Sequence, residues 1–349
     1  MKATSVSSAA MSNAQRYSQM RMQSDLVKAQ KEATTGTVAD VGLALGGRTA
    51  QAVTFSRDLD RLNVIIDSNA LVTARLSSTQ NSLGQLSDVA QDLLTALTSA
   101  ASGDSSSTIT HDAGKAAVQQ LTSILNTSVN GEYLFAGTNT DVKPVDDFTA
   151  AGSPAKAAFD ASFVAYFGFT QNDPAAAGIT ATQMDSFITS NVEPQFLGSG
   201  WQTNWSNATD QQITSRIALN DTTQTSVSAN SDSIRKLAMA SAMITGLLSS
   251  NISQAARNTV VTRSLSLVGE TLGGLGQLQS QTGLVQKRVS DASDRMKTQV
   301  DLFERHILDL EGVDPAEAAT RVADLTQHIE TSFALTARLQ QLSLLNYLT

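Results

Sequence analysis

Residues 55–97 read FSRDLDRLNVIIDSNALVTARLSSTQNSLGQLSDVAQDLLTAL. Stepping alternately by four and three residues from Phe55 gives Leu59, Leu62, Ile66, Asn69, Thr73, Leu76, Gln80, Leu83, Ser87, Ala90, Leu94 and Leu97. Most are apolar, and Ile65, Val72, Leu86 and Leu93 widen the stripe. A seam of period 3.5 kept up over this length predicts one helix of about 65 Å. The same stepping from Val261 gives Leu265, Val268, Leu272, Leu275, Gln279, Thr282, Gln286, Val289, Ser293, Met296, Val300, Phe303, Ile307 and Leu310. That predicts a second helix of about 74 Å. Its polar layer at Gln279, Thr282 and Gln286 adjoins Gly283, a natural place for a bend. One such helix alone would leave its stripe in water, so the two are expected to pack on each other. The candidate bundle core is Leu59, Leu62, Ile66, Leu76, Leu83 and Leu94 from the first, with Leu265, Leu272, Met296, Val300, Phe303 and Ile307 from the second.

Proline and aromatic residues mark what lies between. Pro144, Pro154, Pro174 and Pro194 fall in one central stretch, and residues 1–143 and 195–314 contain none. A helix interior excludes proline by about 3 kcal/mol, so both flanks are free to be helical. Of the 17 aromatic residues, 12 lie between Tyr133 and Trp205, with bursts such as Phe163-Val164-Ala165-Tyr166-Phe167-Gly168-Phe169. That stretch reads as an inserted domain of short strands and loops. Val118, Leu121, Leu125 and Val129 mark a shorter helix before the tight-turn pair Asn130-Gly131, and Ile234, Leu237, Ile244 and Leu248 mark another. The expected fold is mainly α, a long antiparallel helical bundle with a smaller β-rich insert. Its segments are an N-terminal assembly helix (1–40), a first arm (41–137), the insert (138–230), a second arm (231–312) and a C-terminal assembly helix (313–349).

The chain ends are the informative part. Asp314-Pro315-Ala316-Glu317 is a strong helix start. Val322, Leu325, Ile329 and Phe333 follow, and the last fifteen residues hold six leucines and a tyrosine on nearly every side of a helix. Termini are normally polar and frayed, and a helix apolar all round must be buried. Residues 5–33 form a matching helix with a modest stripe, Met11, Tyr17, Met22, Leu26, Ala29 and Ala33. A two-helix pair buries little area, so both ends are expected to order on entering a multi-subunit assembly. The candidate assembly interface is Met11, Tyr17, Met22, Leu26, Leu335, Leu339, Leu342, Leu345, Tyr347 and Leu348.

Composition narrows the partners. The 349 residues include no cysteine, which excludes disulfides and thiol chemistry. Net charge is −8, and an acidic surface repels phosphate backbones, so nucleic acid is not an expected partner. No apolar run approaches 18 residues, so no membrane span is expected, and the N-terminus lacks the apolar stretch of a cleaved secretory signal. Charged residues make up 16%, against about 25% on average. Such a surface loses little hydration on packing against other copies.

Matching terminal helices around a variable insert resemble bacterial flagellar axial proteins. The end from Phe333 to Leu348, FALTARLQQLSLLNYL, is similar to the flagellin-type C-terminus. Residues 130–138, NGEYLFAGT, look like the hook-associated protein of the hook–filament junction, the FlgL type. Residues 39–48, ADVGLALGGR, fit that type and depart from the SGLRINSAKDDAAG-like stretch of filament flagellins. The resemblance implies a structural subunit, exported through the flagellar type III apparatus without a cleaved signal, for which a chaperone is a further partner. It implies a helical tubular homo-oligomer outside the cell, with terminal helices in the inner layer and the insert facing outward. The implied partners are other copies, flagellin and the other hook-associated protein. The alternative is a filament flagellin that polymerises alone.

Catalytic chemistry is not expected. His111, His306 and His328 lie far apart without a carboxylate–histidine helix motif, so no metal or cofactor is implied. Residues 42–48, GLALGGR, lack the lysine-serine ending of a phosphate loop. Gly269 to Gly276 read as close helix packing. The contrary reading, a hydrolase in the insert using Asp146, Asp147 and Asp160, has no motif behind it.

Overall fold

A computed structural model describes residues 8–103, 105–248 and 251–345; the side chains of residues 8, 9, 12 and 339–345 lie outside the description. The fold is mainly α, as its seams predict. Helix α1 (Ser8–Thr35) is followed by the short α2 (Val41–Leu45), the long α3 (Thr49–Ala101) and α4 (Ser107–Leu125). The hairpin β1 (Ser128–Val129) and β2 (Glu132–Tyr133) leads to α5 (Pro154–Phe167), α6 (Ala181–Phe187), α7 (Glu193–Phe196) and α8 (Gly200–Asn204). A second hairpin, β3 (Thr214–Ala218) and β4 (Asp221–Gln224), precedes α9 (Asp232–Leu247), the long α10 (Gln254–Glu311) and α11 (Pro315–Leu345). Both long helices exceed the span of their periodic seams, at 53 and 58 residues. The chain divides into two compact units, one of residues up to Val64 and from Met296, the other from Ile65 to Arg295.

The larger unit has one continuous core. Leu83, Leu86, Leu93 and Leu97 of α3 meet Val118, Leu121 and Leu125 of α4, Ile234 to Leu247 of α9, and Val260, Val268 and Leu275 of α10. Helix α9 is buried nearly all round. It crosses α4 where Gly114 lies so close to Ile244 that an added Cβ would sit 2.4 Å from the isoleucine methyl. Gly274 plays the same part against Ser233, but Gly269, Gly273 and Gly276 face open space, so close packing explains only one of that group.

The insert departs from its predicted β-rich character. Most of its ordered structure is short helix, and its only named sheet is the β3–β4 hairpin. The burst at 163–169 is the end of α5. Ser153 caps that helix by accepting from Lys156 N at 3.3 Å, Pro154 sits in its first turn, and Gly168 ends it at φ +81°. A short aromatic run carries no period of its own, so these caps settle the element type. Nor does the insert keep a separate core. Phe148, Phe159, Phe163, Phe187, Phe196, Trp201 and Trp205 join the cluster that the bundle helices form. Within the insert, Asn230 ties its last loops together, accepting from Trp201 Nε1 and Ser206 Oγ at 2.7 Å each and donating to Ala208 O at 2.9 Å.

Candidate assembly interface

In the smaller unit α1 lies antiparallel along α11. Gln19 Nε2 donates to Ser332 Oγ and Thr336 Oγ1, both at 3.3 Å, and Arg321 pairs with Glu32 at 3.1 Å. Along the pair Ala29, Ala318 and Ile329 are buried, and Met22, Leu26, Val322 and Leu325 are half-buried. The start of α11 follows its sequence signal, with Asp314 Oδ1 accepting from Ala316 N at 2.8 Å. The pair is tied at its base. Val38 N donates to Glu311 O at 2.8 Å and Val313 N to Gly36 O at 2.9 Å, which makes an isolated antiparallel bridge between Thr37 and Gly312. Gly36 has φ +68°, where a side chain is strained, and a Cβ on Gly312 would meet Leu308 O at 2.4 Å. Beyond the bridge, Phe55 of α3 stacks on Phe303 and His306 of α10 at 5.6 and 5.4 Å.

Among its polar residues the pair leaves several large apolar side chains uncovered. Met11, Tyr17, Met20 and Val27 of α1 are exposed, as are Phe333 and Leu335 of α11. At 3.6 residues per turn, Tyr17, Met20 and Val27 fall roughly opposite Met22, Leu26 and Ala29. Helix α1 therefore has two apolar faces, one on α11 and one open. Sequence reading placed Met11, Tyr17, Met22 and Leu26 on a single stripe and passed over Met20 and Val27. The 17, 20, 24, 27 spacing was the available signal, masked by the polar Ser24 in its middle. Of the C-terminal candidates, Leu335 is exposed. The side chains of Leu339, Leu342 and Leu345, and all of Tyr347 and Leu348, lie outside the described residues. Of the candidate bundle core, Leu62, Leu76, Leu83, Met296 and Val300 are buried, and Leu59, Ile66, Leu94, Leu265, Leu272, Phe303 and Ile307 are half-buried.

Four of the groups named for other chemistry have structural partners. Asp147 Oδ1 accepts from Thr149 N and Oγ1 in a local turn, and Asp160 holds Lys156 and Gln171. His111 contacts Asp112 at 3.0 Å, and His306 lies on Phe55. A cavity of about 660 Å³ beside Leu71, Val72, Val129 and Ile213 contains Arg75, whose guanidinium is paired with Glu132 and Tyr133 O. Among the described residues no three His, Asp or Glu side chains converge on one point, and no helix is long and apolar enough to cross a membrane.

Comparison with known proteins gives the frame for this surface. Residues 6–140 match the bacterial flagellin N-terminal helical region, and residues 265–348 match the bacterial flagellin C-terminal helical region. Together these cover well over half of the chain, α1 and α11 included. The chain belongs to the flagellin family. That family is structural, and the paired termini belong to a flagellar component. Among solved structures, a protein of Vibrio parahaemolyticus described as a flagellar hook-associated protein is similar in fold. It is 11% identical, with a TM-score of 0.52, over 76% of this chain and 97% of that one. No curated protein matches the chain. In this flagellin-family chain the NGEYLFAG motif is a folding element. Asn130 and Gly131 form the β1–β2 turn at φ +54° and +84°, and Leu134, Phe135 and Ala136 are fully buried. Gly137 follows at φ +66°, where a Cβ would meet Thr209 O at 2.4 Å.

Proposed function

We propose that this chain is the axial subunit that joins hook to filament, and that it docks onto its neighbours through the open faces of α1 and α11. The observation that carries the docking role is the apolar surface the pair leaves in water: Tyr17, Met20 and Val27 on one helix, Phe333 and Leu335 on the other. Fully burying one such side chain is worth about 1.5–3 kcal/mol. Residues 1–40 and 313–349 are then the assembly segments, and Leu339, Leu342, Leu345, Tyr347 and Leu348 are assembly candidates by their sequence. Copies of the chain, flagellin and the other hook-associated protein are the partners, reached outside the cell after type III export. Support for the junction over the filament comes from the 39–48 and 130–138 segments and from the hook-associated fold neighbour.

Deleting the gene and imaging the cells tests the junction role. Intact hooks with filaments shed into the medium are expected; filaments still attached to their hooks, or no filaments on the cells or in the medium, would overturn it. The second reading, a filament flagellin, draws on both matched family descriptions being those of flagellin. It requires the purified chain to polymerise alone into long filaments at high salt. For the docking surface, Phe333→Asp with Leu335→Asp should abolish motility while helix content and melting temperature of the purified chain stay unchanged. Normal motility in that double variant would remove the surface from the assembly.

A further inference from the structure

The seams of α3 and α10 carry an ambiguity that hydrophobic burial does not resolve. Their apolar layers recur every seven residues, so sliding one helix along the other by a heptad sets apolar on apolar again. That slide displaces the helices by about 10 Å. Something other than the apolar pattern has to choose the stagger.

Between Ile65 and Arg295 the choice is built from polar and inserted groups. Asn69, at a core position of α3, is 1% exposed. Its Nδ2 donates to Ile217 O at 2.9 Å and to Ser293 Oγ of α10 at 3.0 Å, while its Oδ1 has no hydrogen-bond partner among the described residues. An unpartnered buried acceptor lowers stability, so Asn69 is poorly suited to holding the seam by strength alone. A single buried asparagine does fix stagger, because any other alignment strands its amide as well. The second group is the β3–β4 hairpin. Its ladder is irregular between Arg216 and Ala218, and Ile217 there is fully buried in a small cluster with Leu76 of α3 and Val289 and Ala292 of α10. Across the turn from Ala218, Asp221 pairs with Arg288 of α10 at 2.5 Å. The hairpin thus grips α3 at Asn69 and Leu76 and α10 at Arg288, Val289 and Ala292. Farther along, Gln286 donates to Ser77 Oγ at 2.8 Å and Gln80 to Gln279 O at 2.8 Å, two more pairings that a heptad slide would break.

We propose that the β3–β4 hairpin is a register clamp, with Asn69 as its key and Ile217 and Asp221 as its jaws, holding α3 and α10 in one of several heptad-related staggers. This goes beyond the assembly role and does not depend on it: a folded monomer needs the stagger whether or not it polymerises.

The absence of native cysteine makes the test clean, since two introduced thiols are the only ones present. In the full-length chain, Ser77→Cys with Gln286→Cys reports the observed stagger. Ser77→Cys with Gln279→Cys, or with Ser293→Cys, reports a slide of seven residues in either direction. After mild oxidation the first pair should close nearly completely and the other two stay at background. Introducing Asn69→Leu, alone and with Ile217→Ala, should raise a slipped cross-link by about tenfold, the ratio given by about 1.4 kcal/mol between staggers. Circular dichroism and melting on the same samples separate slippage from unfolding. If the double variant unfolds, Asp221→Ala, which opens only the outer jaw, takes its place and should raise a slipped cross-link by about twofold. Background yields of both slipped pairs in every folded variant would overturn the clamp.

Discussion

Ala29 is the only residue of α1 with a described side chain that is buried, whereas eleven of the 16 residues of α9 are. Both helices begin with polar residues and hold alanines and methionines. The difference lies in how many elements each one touches. Helix α9 sits among α4, α10 and the aromatic insert, so its whole circumference is used. Helix α1 has α11 on one side and nothing described on the other, yet that other side still carries Tyr17, Met20 and Val27. A helix buried all round stabilises its own fold. A helix with a second, unused apolar face has its remaining stabilisation still to be gained from a neighbour.

Substitutions can break or sharpen that contrast. The largest effect is expected in α9, where Ile244→Ala should lower unfolding free energy by about 2–5 kcal/mol, read from the denaturant midpoint. Gly114→Val at the same crossing forces a side chain against Ile244 and should lose about 1–3 kcal/mol. A milder change is Lys236→Met. The Lys236 ammonium donates to Asp232 and Glu270 at 2.7 and 2.8 Å, and those hydrogen bonds, Asp232 first, hold its pKa above the ordinary lysine range. The raised value places the stabilisation below the unfolded lysine pKa of about 10.4 and removes it as pH climbs through the folded one. The melting difference between parent and variant should therefore be constant from about pH 6 to 9, under about 1 kcal/mol, and close at higher pH. Smallest of all is the open face of α1. Tyr17→Ala and Val27→Ala should leave monomer stability within about 0.5 kcal/mol while sedimentation shows assembly weakened. A large loss of monomer stability there would mean the face is already covered, and the contrast with α9 would fail.

Much of this was legible in the sequence, and unevenly. The long helices were plain because six heptads of period 3.5 have no other reading. The start of α11 was plain because Asp314 and Pro315 act locally. The insert was not, since Phe163 to Phe169 is too short to show a period and its helical state rests on Ser153 and Gly168 at the ends. The second face of α1 was hidden because only three of its positions are apolar and the more regular stripe drew the eye. Asn69 was visible as a polar residue in the seam, but its role depends on Ile217, 148 residues away, which no periodicity connects to it.

The bridge between Thr37 and Gly312 has a consequence for the order of folding. It closes the chain from residue 37 to residue 312 into a loop, and direct closure of a flexible loop that long costs about 5 kcal/mol in entropy. Two peptide hydrogen bonds return about 1–3 kcal/mol, too little to meet that cost unaided. The joint therefore forms after α3 and α10 have brought its two sides near. The chain's extremities are the last parts to be fastened and the first to come undone, and the amides of Val38 and Val313 should exchange with solvent deuterium well before those of α9.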